Sequence, residues 1–273
     1  MGAAAVRLQR RMVSGGGGLA GRRIVVTRAR EQAAELARAL EAAGAAVIVA
    51  PVIQIEPLPD LGALRAALAG LSAYRWVVFT SQNAVQIVFD RLLVWGLSAR
   101  AFHTVAVAAV GTATADALGR RGVTPALVPD EFVGEALADA IAVRDGATLA
   151  GARVLIPSAQ DARAALGDGL RAHGAVVESI PIYRTVPAPT DLRALATDIT
   201  AGRIDAVTFT SSSTVRCFVE LIGRETATAG GYVAAAIGPV TAATARELGL
   251  RDVIGADPHT ADGLVSALVR RLA

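Results

Sequence analysis

Two hydrophobic periods alternate along the chain. IVVT (24–27), AAVIVAP (45–51) and WVVFT (76–80) are short, nearly continuous apolar runs of strand type. Between them the apolar residues recur every third or fourth position. EQAAELARALEAAG sets Leu36 and Leu40 one helical turn apart and stops at Gly44. Behind WVVFT, Val85, Val88, Phe89 and Leu92 fall at i, i+3, i+4 and i+7, one face of a helix. Val215, Phe218, Val219 and Ile222 repeat that spacing in the second half. VAVAAVG (105–111) and VAAAIG (233–238) are further strands, each running into an Ala/Thr-rich helix. Strands that alternate with helices predict parallel sheets with helices on both faces.

The second half of the chain resembles the first. Arg23-Ile24-Val25-Val26 matches Arg153-Val154-Leu155-Ile156, and Gly44 matches Gly174, at an offset of 130 residues. Pro51 matches Pro181, and Phe79-Thr80-Ser81 matches Phe209-Thr210-Ser211, at the same offset. Val110-Gly111 then matches Ile237-Gly238 at 127; Asp130 with Asp257 and Ile141 with Leu268 keep that offset. The period is far too long for a solenoid. It predicts an internal duplication and two similar α/β domains.

In parallel sheets ligands bind at the carboxyl ends of the strands. Four turns there carry candidate chemistry: Thr80-Ser81-Gln82-Asn83, Gly111-Thr112-Ala113-Thr114, Thr210-Ser211-Ser212-Ser213 and Gly238-Pro239-Val240-Thr241. Each follows a strand and opens a helix. One reading is helix capping, in which Ser, Thr or Asn accepts from an orphan N–H. The other is anion binding, for which free N–H groups, hydroxyls and the positive helix end suit a carboxylate or phosphate. A nucleophile elbow fits poorly, because Ser211–Ser213 lack flanking glycines and a matched histidine. His103, His173 and His259 sit in unrelated contexts, and Cys217 reads as packing beside Phe218.

Composition removes whole chemistries. All 27 basic residues are arginine. Without lysine there is no Schiff base and no Walker P-loop. Net charge is only +3, with no basic cluster to suggest nucleic acid. A single cysteine excludes an internal disulfide and points to the cytoplasm. No apolar stretch reaches membrane-spanning length. There is no CxxC, HExxH or dinucleotide fingerprint, since the GGGG run precedes the first strand. Residues 1–20, which hold that run, read as a disordered extension. Tyr183 stands out: PIYRTVP (181–187) replaces PVIQIEP (51–57), so tyrosine takes the place of Ile53 in one copy only. It is either a core aromatic or a hydroxyl aimed at a site.

Taken in order, VFTSQNAV (78–85), VGTATADAL (110–118), PIYRTVP (181–187), FTSSSTV (209–215) and IGPVTAATARELGL (237–250) resemble the uroporphyrinogen-III synthase family over residues 22–273. The resemblance implies an α/β fold of two similar parallel-sheet domains joined by a two-stranded linker, with the active site in the interdomain cleft. It also implies an exchange: residues 21–53 with 187–273 form one domain, and 54–186 the other. The implied reaction is cyclisation of hydroxymethylbilane to uroporphyrinogen III, with loss of water and inversion of the last pyrrole ring. No metal or organic cofactor is implied. The expected partner is that linear tetrapyrrole with its eight carboxylates, not nucleic acid or membrane. The chain is expected to be a monomer, with transient contact to hydroxymethylbilane synthase. Tyr183 aligns with the family's tyrosine that assists hydroxyl departure, and Thr241 with a threonine facing the substrate. Ser158 and Ser211 fall at matching loop positions. With Thr80, Ser81, Gln82, Gly111, Thr112, Thr210, Ser212, Ser213 and Gly238 they make up the expected substrate contacts. The alternative is a non-catalytic tetrapyrrole-binding or regulatory protein of the same fold.

Overall fold

A computed structural model of the chain describes residues 18–129 and 134–273. Asp130 of the repeat alignment and residues 1–17 of the expected extension lie outside the described residues. Leu19 corrects the extension's boundary. It is fully buried against the core of its unit, and its N–H donates to the Ala43 carbonyl at 3.0 Å.

The strands, in chain order, are β1 (Arg23–Val26), β2 (Ala46–Val49), β3 (Ile53–Pro57), β4 (Trp76–Phe79), β5 (Ala106–Ala109), β6 (Arg153–Ala159), β7 (Val176–Pro187), β8 (Ala206–Phe209), β9 (Val233–Ala236) and β10 (Asp252–Gly255). The helices are α1 (Arg30–Ala42), α2 (Gly62–Ala69), α3 (Gln82–Val94), α4 (Thr112–Gly119), α5 (Gly134–Asp145), α6 (Ala165–Ala172), α7 (Arg193–Thr200), α8 (Ser212–Ile222), α9 (Arg224–Thr228), α10 (Pro239–Glu247) and α11 (Ala261–Leu272). The chain divides into two compact units. Unit 1 takes the chain up to Gln54 and again from Thr185 to Ala273; unit 2 is Ile55–Arg184.

Unit 1 holds a parallel sheet in the order β10-β9-β8-β1-β2. Ile24 and Val26 of β1 pack with Leu36 and Leu40 of α1 and Leu264 and Leu268 of α11. Val25 and Val207 point the other way and are equally buried, so both faces are covered. Unit 2 has the order β3-β7-β6-β4-β5, parallel from β7 to β5. Val77 and Phe79 of β4 join one core with the α3 stripe of Val85, Val88, Phe89 and Leu92. Trp76 and Val78 join the opposite core with Leu137 and Ile141 of α5. Burial on both faces is why these strands read as continuous apolar runs rather than alternating ones.

The duplication holds down to the register of the strands. Ile24 pairs with Ala206 in unit 1, and Val154 with Trp76 in unit 2; each residue is shifted by 130 from its counterpart. Arg23 pairs with Ala46, and Arg153 with Val176, at that same shift. Trp76–Ala106 is matched by Ala206–Val233, and the lone bridge Ala108–Leu127 by Ala235–Ile254 at 127. In each sheet the strand–helix–strand segment of one repeat pairs with the remaining strands of the other. The equal registers explain how the segments can be exchanged: each offers the same pattern to the edge it meets.

Candidate functional site

The candidate side chains sit where the strands of each unit end and the next helices begin. In unit 2, Ser81 is the N-cap of α3, and its Oγ accepts from the Ala84 N–H at 3.1 Å. The cap alone does not account for this residue. The same Oγ lies 2.9 Å from the Tyr183 hydroxyl, and either oxygen can donate. Asn83, one turn residue further, hydrogen-bonds the same phenol. Thr80 and Gln82 flank the cap and are half-buried.

A bulge brings Tyr183 to this turn. Ser158 of β6 stands opposite Pro181, but Ala159 stands opposite Tyr183, so β7 gains one residue there. In a regular strand Ile182 and Tyr183 would face opposite sides of the sheet. With the bulge both enter the same core, and both are buried. Burial pushes the Tyr183 phenol up from its ordinary value, with Asp161 adding to the shift; the bonds from Ser81 and Asn83 pull the other way without cancelling it. The phenol is therefore held protonated and fixed in direction.

Gly111 is the N-cap of α4 and is buried, while Thr112 beside it is exposed. Ser158 is 6% exposed at the start of the bulge.

In unit 1, Ser211 is the N-cap of α8 in a full capping box. Its Oγ accepts from the Thr214 N–H at 3.2 Å, and its own N–H donates to Thr214 Oγ1 at 3.2 Å. The cap uses an Oγ lone pair and leaves the Ser211 proton to donate elsewhere. Ser212 departs from the expectation of a hydroxyl donor. Thr244 gives its proton to the Val240 carbonyl at 3.0 Å, so the 2.8 Å contact between Ser212 and Thr244 consumes the Ser212 proton. Thr210 and Ser213 are half-buried beside them. Gly238 is the N-cap of α10, with Pro239 at the first helical position and the His259 ring 3.7 Å from where a Cβ would sit. Thr241 follows on α10. At the third helical position its side chain turns inward, leaving it 6% exposed, and its repeat partner Thr114 is 5% exposed in unit 2.

The site residues thus form two sets, one per unit, each at the carboxyl ends of its strands. Only the set in unit 2 contains a phenol; Ile53 is its counterpart in unit 1. Asn83 belongs to a turn that the sequence singles out, yet it is not among the expected substrate contacts. It was visible inside the turn, but its partner lies 100 residues away along the chain. Among the described residues, no group of three or more His, Cys, Asp or Glu could hold a metal ion. No helix among them is long and apolar enough to cross a membrane.

Known proteins are similar to this chain over most of its length. Uroporphyrinogen-III synthase from Synechococcus elongatus is 33% identical over 259 residues, covering 92% of this chain and 95% of that protein. Porphyrin biosynthesis protein HemD of Ruminiclostridium josui is 32% identical over 92% of this chain, which spans 49% of that longer protein. The solved structure of a mutant uroporphyrinogen III synthase from the extremely thermophilic bacterium Thermus thermophilus superposes with a TM-score of 0.61 at 20% identity, covering 92% of this chain and 99% of that one. The Helicobacter pylori uroporphyrinogen-III synthetase gives 0.60 at 18%, covering 92% and 99%. These two establish the fold. The model of the family described as uroporphyrinogen-III synthase HemD matches residues 34–266, a span that runs through both sheets and all four turns. By that match and by its relatives, this chain belongs to the uroporphyrinogen-III synthase family.

Proposed function

We propose that this chain closes hydroxymethylbilane to uroporphyrinogen III in tetrapyrrole synthesis, and that Tyr183 assists departure of the terminal hydroxyl. The buried phenol held by the Ser81 cap is the observation that carries this reading. In this reading Ser81, whose Oγ accepts from Ala84 N–H, gives its own proton to the Tyr183 oxygen, and Asn83 donates to the same oxygen. The Tyr183 proton is then the one left to donate. It passes to the substrate hydroxyl as the C–O bond breaks, so that the group leaves as water, and the proton that the ring sheds on reclosure restores the phenol. The azafulvene cation that remains is attacked by the terminal ring through its substituted carbon, giving a spiro intermediate that fragments and recloses with the ring inverted.

The substrate cyclises without inversion when left alone, so the protein selects among competing transition states by holding the chain folded. Its eight carboxylates suit two sets of donors. Thr80, Ser81, Gln82, Gly111, Thr112 and Ser158 serve unit 2, and Thr210, Ser211, Ser213 and Gly238 serve unit 1. A monomer acting in the cytoplasm, fed by transient contact with hydroxymethylbilane synthase, completes the proposal. Incubation with hydroxymethylbilane and separation of the isomers tests it. The type III isomer in excess over the protein is expected; only type I, as in buffer, sinks the reading and leaves a binding or regulatory role.

A further inference from the structure

We propose that Arg28 is a carboxylate anchor of unit 1, seizing one acidic side chain of the substrate beside the Thr210–Ser213 turn. The inference rests on the function proposed above. Val26 of β1 pairs with Thr208 of β8, and both strands run the same way. Two residues further along each come Arg28 and Thr210. Neighbouring strands are about 4.8 Å apart, so Arg28 and the hydroxyl turn leave the same carboxyl edge of the sheet from adjacent strands.

The environment of Arg28 is that of a cation awaiting an anion. Its Nε donates to the Gln32 side-chain oxygen at 3.1 Å, a neutral acceptor, and both Nη groups are left without an acceptor among the described residues. No described carboxylate lies within the 4.0 Å of an ion pair. Arg22 and Arg23, at the other end of β1, are paired with Asp205 and Asp198. Burial pushes the Arg28 pKa down, only partly offset by the charge of Glu35, whereas Arg75 and Arg193, each bonded to an aspartate, are pushed up. A guanidinium taken partly out of water without a bonded counter-ion is costly to the folded chain. A ligand carboxylate that meets the two free Nη groups offsets that cost and forms charge-assisted hydrogen bonds.

The duplication supports the assignment independently. The residue 130 positions after Arg28 is Ser158, at the corresponding end of β6. The two copies thus place different polar groups at one site: a hydroxyl in unit 2, near the reacting phenol, and a full positive charge in unit 1. Discharging a carboxylate onto Arg28 fixes which end of the symmetric-looking substrate enters unit 1.

The test uses the full chain with Arg28→Gln and Arg28→Lys. Uroporphyrin, an octacarboxylate, serves as equilibrium probe by fluorescence, and hydroxymethylbilane as substrate. For Arg28→Gln, Kd and KM should rise roughly 10-fold or more, the scale of a charged hydrogen bond, with kcat within about 2-fold. Lysine should recover part of the loss, and the glutamine variant should show a shallower salt dependence of Kd than wild type. If Arg28→Gln does not fold, Arg28→Met, which keeps the stem's packing, is read in its place. Wild-type Kd, KM and salt dependence in the neutral variant overturn the inference while leaving the function intact. A wild-type protein that binds no uroporphyrin and makes no type III isomer overturns both.

Discussion

Tyr183 combines two demands that oppose each other elsewhere in the chain. In the role proposed for it, it must be buried, to stay protonated and oriented, and it must reach a reacting group. The β7 bulge reconciles them by turning two successive residues to one side. Tyr183→Phe keeps the ring and its packing and removes only the oxygen. Turnover should fall about 10-fold or more, within the range for proton-transfer assistance, while the fold stays intact and loses only about 1–3 kcal/mol for the buried hydrogen bonds left unmade. An unaltered kcat would remove Tyr183 from the mechanism. The pH dependence follows the same residue. Its pKa lies above the ordinary 10.0, so the donor is intact below pH 10 and is lost only as pH rises through the raised value. Any alkaline loss of rate due to this phenol should therefore begin above about pH 10 and vanish in Tyr183→Phe. The substitution of tyrosine for Ile53's counterpart made this residue legible in the sequence. Arg28 was not legible, because a single arginine after a strand is common among 27. What marks it out is the equivalence to Ser158, together with burial that pushes its pKa down while no described carboxylate is bonded to it.

At the scale of elements, hydrophobic periodicity located the sheets and helices well. Leu36 and Leu40, the α3 stripe and the α8 stripe are all in cores, as their spacing demanded. Capping chemistry was legible too, because Ser81 and Ser211 both close the first turn of a helix. What periodicity could not separate was a cap from a donor, since one serine can be both. The resolution came from proton counting, which excludes Ser212 as a donor and leaves Ser211. Another element carries a requirement invisible in its periodicity. A Cβ on Gly263, in the first turn of α11, would stand 1.9 Å from the Pro258 carbonyl oxygen, with two more Pro258 backbone atoms near 3 Å. Backbone cannot yield as a side-chain tip can. Gly263→Ala should cost about 3 kcal/mol in urea unfolding, at the upper end of overpacking, whereas its repeat counterpart is already alanine, Ala136. A loss below about 0.5 kcal/mol would mean that the segment before α11 moves freely.

For the whole molecule, the sequence repeat and the folded unit are different objects. The repeat runs through one half of the chain, yet each sheet takes strands from both halves. Connection rules alone favour sequential packing, and equal registers make both pairings comparable on paper; the resemblance to a known family was needed to choose. Residues 51–187 contain every strand of the unit 2 sheet. Expressed alone, this fragment should unfold in one cooperative transition, with Trp76 fluorescence reporting its core. A non-cooperative, molten profile would show that the unit depends on the rest of the chain. The equal registers also bear on synthesis. A growing chain completes β1, β2 and β4 long before β8 exists. The edge of β4 that β6 will later occupy presents β1 with the same spacing of partners as β8. Until β6 emerges, β4 offers β1 an edge equivalent in register to the one it finds on β8. The equal registers thus leave β1 two equivalent edges during synthesis, where the finished molecule shows one.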